Sequence, residues 1–285
     1  MNASINKKYA DLHVHTIYSD GMYSPEEVVK TALNKGLKAI SITDHDGVEG
    51  VGPTIEAALG TGLEIIPGIE VSTVIGENEI HLLGYFIDWQ NVSFIEKLNK
   101  MKKNRVSRIR GMIRLLREKD MEISEEKVLD MSLGGTIGRL HLAHVMVASG
   151  LVKTINEAFW KYIGNGKSCF VGHKRFEFTD AINMIKEFGG VPVLAHPASS
   201  AIDKHIPELI SAGLRGIEVY HTRHSSGDSR RYLQLVEENA LIITGGSDCH
   251  GLKKNAPLMG KVSVSQEVVE ALRAESEKIR NEQNG

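Results

Sequence analysis

Short apolar runs bounded by glycine, proline or aspartate recur along the chain, separated by stretches whose apolar residues return every three to four positions. The first kind predicts seven strands: "YADLHVH" at 9–15, "AISIT" at 39–43, "LEIIPGIEVS" at 63–72, "EIHLLGYF" at 79–86, "VPVLAHP" at 191–197, "GIEVY" at 216–220 and "LIITGGSD" at 241–248. The second kind predicts helices. Ser24-Pro25-Glu26-Glu27 combines an N-cap serine, a proline at the first helical position and a glutamate three residues after the cap, and Gly36 closes the segment. "TDAINMIKEFGG" repeats the pattern from Thr179 or Asp180 to Gly189-Gly190. Alternation of strand and helix predicts a parallel sheet with right-handed crossovers.

Residues 91–186 break the rhythm. Leu98, Met101, Val106, Ile109, Ile113 and Leu116 form a helical stripe, and "GRLHLAHVMVASG" and "TINEAFWKYIG" read as shorter helices. The segment is expected to be a mainly helical insertion over the mouth of a barrel built from residues 1–90 and 187–285. The tail "AESEKIRNEQNG" reads as frayed and solvated.

At 285 residues the chain suffices for one barrel-sized domain, and a formal charge of −2 excludes a general polyanion coat. Nothing approaches the length of an apolar membrane span, and "MNASINKKYADLHVH" lacks a signal-peptide core. Cys169 and Cys249 read as free thiols of a reducing compartment, so the expected location is the cytoplasm.

Placing the polar residues on the predicted strands changes the picture. His13 and His15 end the first strand and share one side of it, His45 and Asp46 follow the second, Glu70 ends the third, and His81 lies within the fourth. His196 ends the fifth strand, and Asp248 and His250 end the last. In a β/α barrel such positions converge on one mouth, and imidazoles mixed with carboxylates suit Mn²⁺, Fe²⁺ or Zn²⁺, with Mg²⁺ also accommodated.

"DLHVHTIYSDG", "ITDHD", "PGIEVS", "EIHLLGY", "LAHP" and "GGSDCHG" resemble, in order, the motifs of the PHP (polymerase and histidinol phosphatase) metallophosphoesterases. The resemblance implies an α/β fold, a distorted seven-stranded TIM-like barrel, holding two to three divalent ions, manganese first. It assigns one ion to His13, His15, Glu70 and Asp248, a second to Glu70, His81 and His196, and a third to Asp20, His45 and His250. Some branches carry histidine where Asp20 stands, and Asp20-Gly21 also reads as a simple turn. A hydroxide bridging the ions would attack phosphorus, with Glu70 and Asp248 holding the ions and His221 serving the leaving group.

"GRLHLAH", "AFWKYIGNGKSCFV" and "GIEVYH" further resemble the branch that acts on 3′,5′-nucleoside bisphosphates or digests RNA from its 5′ end, although Leu140 and Ser168 replace prolines of that pattern. Arg139, His141, Lys167 and His221 become candidate substrate contacts; helix capping or plain solvation is the competing account of each. Ten Lys and Arg between 97 and 119 read as a solvated helix face more than a nucleic-acid track. The expected partner is a nucleotide or short oligonucleotide, with no membrane and no stable complex with long nucleic acid; the oligomeric state stays open. His144, His173, His205 and His224 carry no assignment. Three rivals stand beside this reading. An amidohydrolase would use a lysine at a strand end, histidinol phosphatase shares the fold and ligands, and a non-catalytic scaffold would have lost ligands.

Overall fold

The computed structural model describes residues 9–132, 135–172, 176–200, 202–253 and 256–284. The leader reading of residues 1–8 and His173 lie outside them. Seven strands form one sheet in chain order: β1 (Ala10–Val14), β2 (Ala39–Ile42), β3 (Glu64–Ile75), β4 (Asn78–Tyr85), β5 (Val191–Leu194), β6 (Gly216–His221) and β7 (Ile242–Gly246). All pairs are parallel except those of β4, which runs against both neighbours. This corrects the expectation of a wholly parallel sheet. Only Gly76-Glu77 separates β3 from β4, far too short for a crossover, and Gly76 takes φ +59° to close a hairpin.

The sheet curls until its edges meet. Val14 bridges Cys249 beyond β7, and the His15 N–H donates to the Cys249 carbonyl at 3.0 Å. The fully buried Asp11 carboxylate accepts the N–H groups of Ser247 and Gly260, each at 2.8 Å, tying the first strand to the last. The result is a nearly closed barrel.

Ten helices follow among the described residues. α1 (Pro25–Asn34) starts with the full capping box read from Ser24 and Glu27, and α2 (Val51–Ala58) follows β2. α3 (Val92–Arg117), α4 (Glu125–Asp130), α5 (Arg139–Ala148) and α6 (Ile155–Ala158), the last continued by a π-helical turn Phe159–Ile163, build the insertion. α7 (Phe178–Glu187), α8 (Ile206–Ser211), α9 (Ser226–Glu238) and α10 (Gln266–Asn284) return to the barrel. A further two-stranded pair, β8 (Leu252–Lys253) and β9 (Ala256–Pro257), follows β7. No described helix is long and apolar enough to cross a membrane.

Burial divides the insertion. Ile109, Met112, Leu116, Leu142, Met146 and Cys169 belong to a separate apolar cluster, whereas Phe94 and Leu98 of α3 and Ile182 and Ile185 of α7 pack with the barrel. The segment with a core of its own is therefore narrower than residues 91–186. The basic run on α3 is also not one wet face. Arg105 and Arg108 are buried, while Lys97, Lys102 and Arg110 pair with Glu187, Glu49 and Glu125.

The tail differs from its frayed expectation. Val269, Leu272 and Ile279 keep a helical stripe that buries against Leu12, Leu83 and Val193. Ser276 donates to the Gly189 carbonyl at 2.7 Å and Arg280 to the Phe86 carbonyl at 2.6 Å. Leu272, with no exposure, is the centre of this contact. Leu272→Ala is expected to lower unfolding stability by about 2–5 kcal/mol, read from urea titration; an unchanged midpoint would show that α10 contributes no packed core.

Candidate metal centre

Strand geometry carries the ligands to one end of the barrel. His13 lies on β1 and His15 just beyond it; His45 follows β2, His196 follows β5, and Asp248 and His250 follow β7. Glu70 sits mid-way along the long β3. Because β4 runs back alongside it, with His81 opposite Ser72 and Leu83 opposite Glu70, a residue near the start of β4 reaches the same mouth as the ends of the others. Glycines permit the close approach. A Cβ on Gly246 would lie 2.4 Å from the Cβ of His13, and one on Gly21 would lie 2.7 Å from the His15 carbonyl.

The Glu70 carboxylate is the hub. Its Oε1 lies 2.7 Å from His81 Nδ1 and 2.9 Å from His196 Nε2. Its Oε2 lies 3.2 Å from each of His13 Nε2, His15 Nε2 and His45 Nδ1. Asp248 Oδ1 faces His15 Nε2 at 3.3 Å and His250 Nδ1 at 3.4 Å. Asp20 Oδ1 faces His250 Nε2 at 3.1 Å, and its Oδ2 faces His45 Nε2 at 3.8 Å. Ligand atoms of His13, His15, Glu70 and Asp248 all fall within 4.8 Å of one another, as do those of His15, Asp20, His45 and His250, and those of His45, Glu70 and His81. These three groups take in eight of the nine sequence-predicted ligands; His15 joins the group around Asp20, His45 stands with Glu70 and His81 where His196 was expected, and His196 reaches the site through Glu70 alone.

These donors fit divalent ions. His13 Nε2, His15 Nε2, His45 Nδ1, Glu70 Oε2 and Asp20 Oδ1 are buried without a hydrogen bond, a combination costly for polar atoms unless a cation receives their lone pairs. Their tautomers agree. His13 Nδ1 bonds Glu218 at 3.0 Å and His250 Nδ1 bonds the Asp248 carbonyl at 3.0 Å, leaving each Nε2 free of a proton in the neutral ring.

Without a cation, protons supply the missing positive charge. Burial opposes protonation of His15, but the nearby Asp248 and Glu70 carboxylates outweigh burial and raise its pKa to about 10. Burial is likewise outweighed at His81, where the Glu70 charge raises the pKa to about 9. His45 goes the other way, lowered to about 3 by burial. Glu70, Asp20 and Asp248 all lie well below the usual carboxylate range, because the surrounding imidazoles outweigh burial.

Behind these groups lies a supporting layer, of which the sequence reading singles out Asp46 alone. Glu218, fully buried on β6, receives His13 Nδ1 and accepts the His196 N–H at 2.8 Å. A carboxylate inside the apolar run "GIEVY" was the available signal. Asp44 accepts the Thr16 N–H and hydroxyl, each at 2.7 Å, and the Ser19 hydroxyl at 2.5 Å, which fixes the loop carrying Asp20. Asp46, beside His45, binds Arg105 of α3 at 2.5 Å and the Ser72 N–H at 2.7 Å. Arg223 contacts Asp248 Oδ2 from the loop after β6. Asp46, His196 and Asp248 hold φ values of +46°, +29° and +54°, strained conformations at the site itself.

The predicted substrate contacts separate. His221 is buried, with Nε2 3.4 Å from Asp248 Oδ2. Arg139 donates to Asn165 at 2.6 Å and faces Glu79 at 3.4 Å. His141 Nδ1 accepts the Gly138 N–H at 3.0 Å, closing the start of α5, with Asp20 as a neighbouring charge. Lys167 is exposed on its loop, its ammonium 5.8 Å from the centre of the Trp160 ring. Among the unassigned histidines, His224 Nδ1 donates to the Val219 carbonyl at 3.0 Å.

A family model described as the PHP domain matches residues 11–181. The chain belongs to the PHP domain family. It is 30% identical over 246 residues to a Chromobacterium violaceum protein named 3′,5′-nucleoside bisphosphate phosphatase, covering 84% of this chain and 86% of that one. It is 31% identical to the Escherichia coli 5′-3′ exoribonuclease Rnm, covering 84% of each. An Eggerthella lenta relative, 29% identical and covered over 97% of its length against 88% of this chain, is named phosphoribosyl 1,2-cyclic phosphate 1,2-diphosphodiesterase. A solved Bifidobacterium adolescentis structure, named as a metal-dependent phosphoesterase, superposes with TM-score 0.87 at 28% identity over 95% of this chain and 97% of its own. The seven-stranded, nearly closed sheet is the fold this PHP chain shares with it.

The raised pKa values carry a sign. In metal-stripped protein, the stabilisation from protonated His15 and His81 is complete below about pH 6.5 and is lost as pH rises through about 9 for His81 and about 10 for His15. In metal-loaded protein those protons compete with the ions, so rising pH favours occupancy. The midpoint of thermal unfolding should therefore fall from pH 6.5 to 10 in the stripped form and rise or hold in the loaded form. Parallel trends in the two forms would contradict this account.

Proposed function

We propose that the chain is a metal-dependent phosphoesterase that hydrolyses phosphate esters of nucleotides, with 3′,5′-nucleoside bisphosphates and short 5′-phosphorylated oligoribonucleotides as its substrates. The observation that carries the reading is Glu70, one buried carboxylate with five imidazole nitrogens within 3.2 Å. The names of the C. violaceum and E. coli relatives support the nucleotide class, and the cyclic phosphodiesterase shares its phosphorus–oxygen bond cleavage. Two buried free thiols suit a cytoplasmic setting.

His13, His15, Asp20, His45, Glu70, His81, His196, Asp248 and His250 would hold two to three divalent ions, manganese first. Bound there, such ions supply positive charge to phosphoryl oxygens and acidify a water enough to serve as nucleophile near neutral pH. The chain's own groups do the rest. His221 Nδ1 accepts the Arg223 N–H at 3.2 Å, so its neutral ring keeps the proton on Nε2, beside Asp248. That proton is available to the leaving oxygen. Arg139, Lys167 and His141 would contact the remainder of the nucleotide.

Chelation should abolish phosphate release and Mn²⁺ should restore it, assayed on adenosine 3′,5′-bisphosphate, a 5′-phosphorylated trinucleotide, a ribose 1,2-cyclic phosphate and histidinol phosphate. Preference for histidinol phosphate would overturn the nucleotide assignment. His221→Asn should lower kcat on the bisphosphate by roughly 10²–10⁴-fold with metal content unchanged. The loss should shrink with p-nitrophenyl phosphate, whose leaving group needs no proton; an equal loss on both esters would remove His221 from that role.

A further inference from the structure

The two oxygens of Asp248 face different company. Oδ1 turns into the ligand cluster, 3.3 Å from His15 Nε2, 3.4 Å from His250 Nδ1 and 3.6 Å from His13 Nε2. Oδ2 meets His221 Nε2 at 3.4 Å and the Arg223 guanidinium. An ion held in the cluster needs only Oδ1 from this carboxylate, so a bound ion and the Arg223 contact are compatible. The loop after β6 puts Arg223 in this place. Its own N–H donates to His221 Nδ1 at 3.2 Å, the His224 N–H donates to the His221 carbonyl at 3.0 Å, and the Thr222 hydroxyl donates to the carbonyl of Ser247, the residue before Asp248, at 3.1 Å. The turn is thereby tied to the end of β7, at the ligand-bearing end of the barrel.

Exposure separates the pair. The Asp248 side chain is 10% exposed and that of Arg223 56%, so the guanidinium lies open above a carboxylate sunk in the site. A guanidinium carries more N–H donors than one carboxylate oxygen takes, and among the described residues Asp248 is the sole partner of this side chain. The donors left over form a planar, permanently charged fork, the shape that matches two oxygens of one phosphoryl group. Charge points the same way. Arg105 is matched by Asp46, and Arg108 and Arg139 face Glu79, carboxylates outside the predicted ligand set. The partner of Arg223 is itself a predicted ligand. An ion at the centre takes up the Asp248 charge and leaves this guanidinium without a full counter-charge.

We infer that Arg223 binds the reacting phosphoryl group, its outward N–H groups donating to the non-bridging oxygens of the ester held at the metal centre. It stands beside His221, on the same oxygen of Asp248, and so brings a fixed positive charge next to the proton that serves the leaving oxygen, where negative charge gathers during the reaction. The inference rests on the phosphoesterase reading above and deepens it by naming a contact to the part that every substrate shares.

Inorganic phosphate is the probe, titrated by calorimetry into Mn²⁺-loaded protein freed of excess metal, with manganese content checked by elemental analysis. Arg223→Ala should bind phosphate roughly ten- to hundredfold more weakly than wild type at equal manganese content, the loss of a charge-assisted contact. Arg223→Lys, which keeps the charge without the fork, should recover part of that loss. In turnover, kcat/KM of Arg223→Ala should fall by the same order on adenosine 3′,5′-bisphosphate and on p-nitrophenyl phosphate, because the contact is to the group the two esters share; the loss in His221→Asn depends on the ester. Unchanged phosphate affinity in Arg223→Ala would overturn the inference. A loss of affinity that tracks missing manganese would do so too, since Arg223 would then only steady Asp248, as would a loss of turnover confined to the bisphosphate. In each of these cases wild-type turnover leaves the phosphoesterase reading standing. A loaded wild-type protein that releases phosphate from neither ester would remove both.

Discussion

One buried carboxylate organises the structure. Glu70 has its two oxygens surrounded by imidazole nitrogens from β1, β4 and the segments after β2 and β5, and lone pairs so close to one another are tolerable only around cations. In the protein without ions, burial keeps His45 neutral while the carboxylates of Asp248 and Glu70 hold protons on His15 and that of Glu70 holds one on His81. The barrel serves this cluster by bringing strand ends together, and its two departures from a regular parallel barrel serve it too. The reversed β4 delivers His81, and the strained backbone at His196 and Asp248 turns each side chain inward where a relaxed strand end would point elsewhere.

The cluster would be useless if its imidazoles rotated. Groups outside it hold the His13 ring and the backbone that carries several others: His13 by Glu218, His196 through its backbone N–H by the same Glu218, the Asp20 loop by Asp44, and the strand-to-loop turn at His45 by Asp46 with Arg105. These supporting carboxylates are buried and fully occupied by hydrogen bonds, which satisfies the condition under which a buried charge is sustainable. Arg105 has the added consequence of fastening the helical insertion to the metal centre, since it reaches Asp46 and Ser72 on the barrel from α3. Movement of α3 would therefore be felt at His45.

The seven strands were legible because each is a short apolar run with clear punctuation, and the candidate ligands drew notice because histidine and carboxylate at strand ends stand out against those runs. The reversal of β4 is written in "VIGENEI", where a glycine-bearing two-residue gap between two strands forbids a crossover, but alternation of strand and helix elsewhere along the chain masks it. The α10 helix was hidden by its polarity, since no apolar residue stands between Ala274 and Ile279 and none follows Ile279. Glu218, Asp44 and Arg105 were illegible for a different reason. Their roles depend on pairing across distant segments, and no local spacing encodes which partner a buried charge will meet.

Charge balance bears on how many ions this arrangement suits. Asp20, Glu70, Glu218 and Asp248 bring four negative charges to the centre, and among the described residues the guanidinium in contact with these carboxylates is that of Arg223, on Asp248. Two divalent ions would offset the four carboxylates and leave Arg223 the main attraction for an anionic ester. Three would leave, with Arg223 counted in the same way, an excess of three positive charges facing a phosphate monoester dianion, which carries close to two negative charges near neutral pH. A centre with an excess of positive charge attracts a phosphate dianion for reasons of charge alone. Discrimination among substrates must then come from whatever surrounds the phosphate.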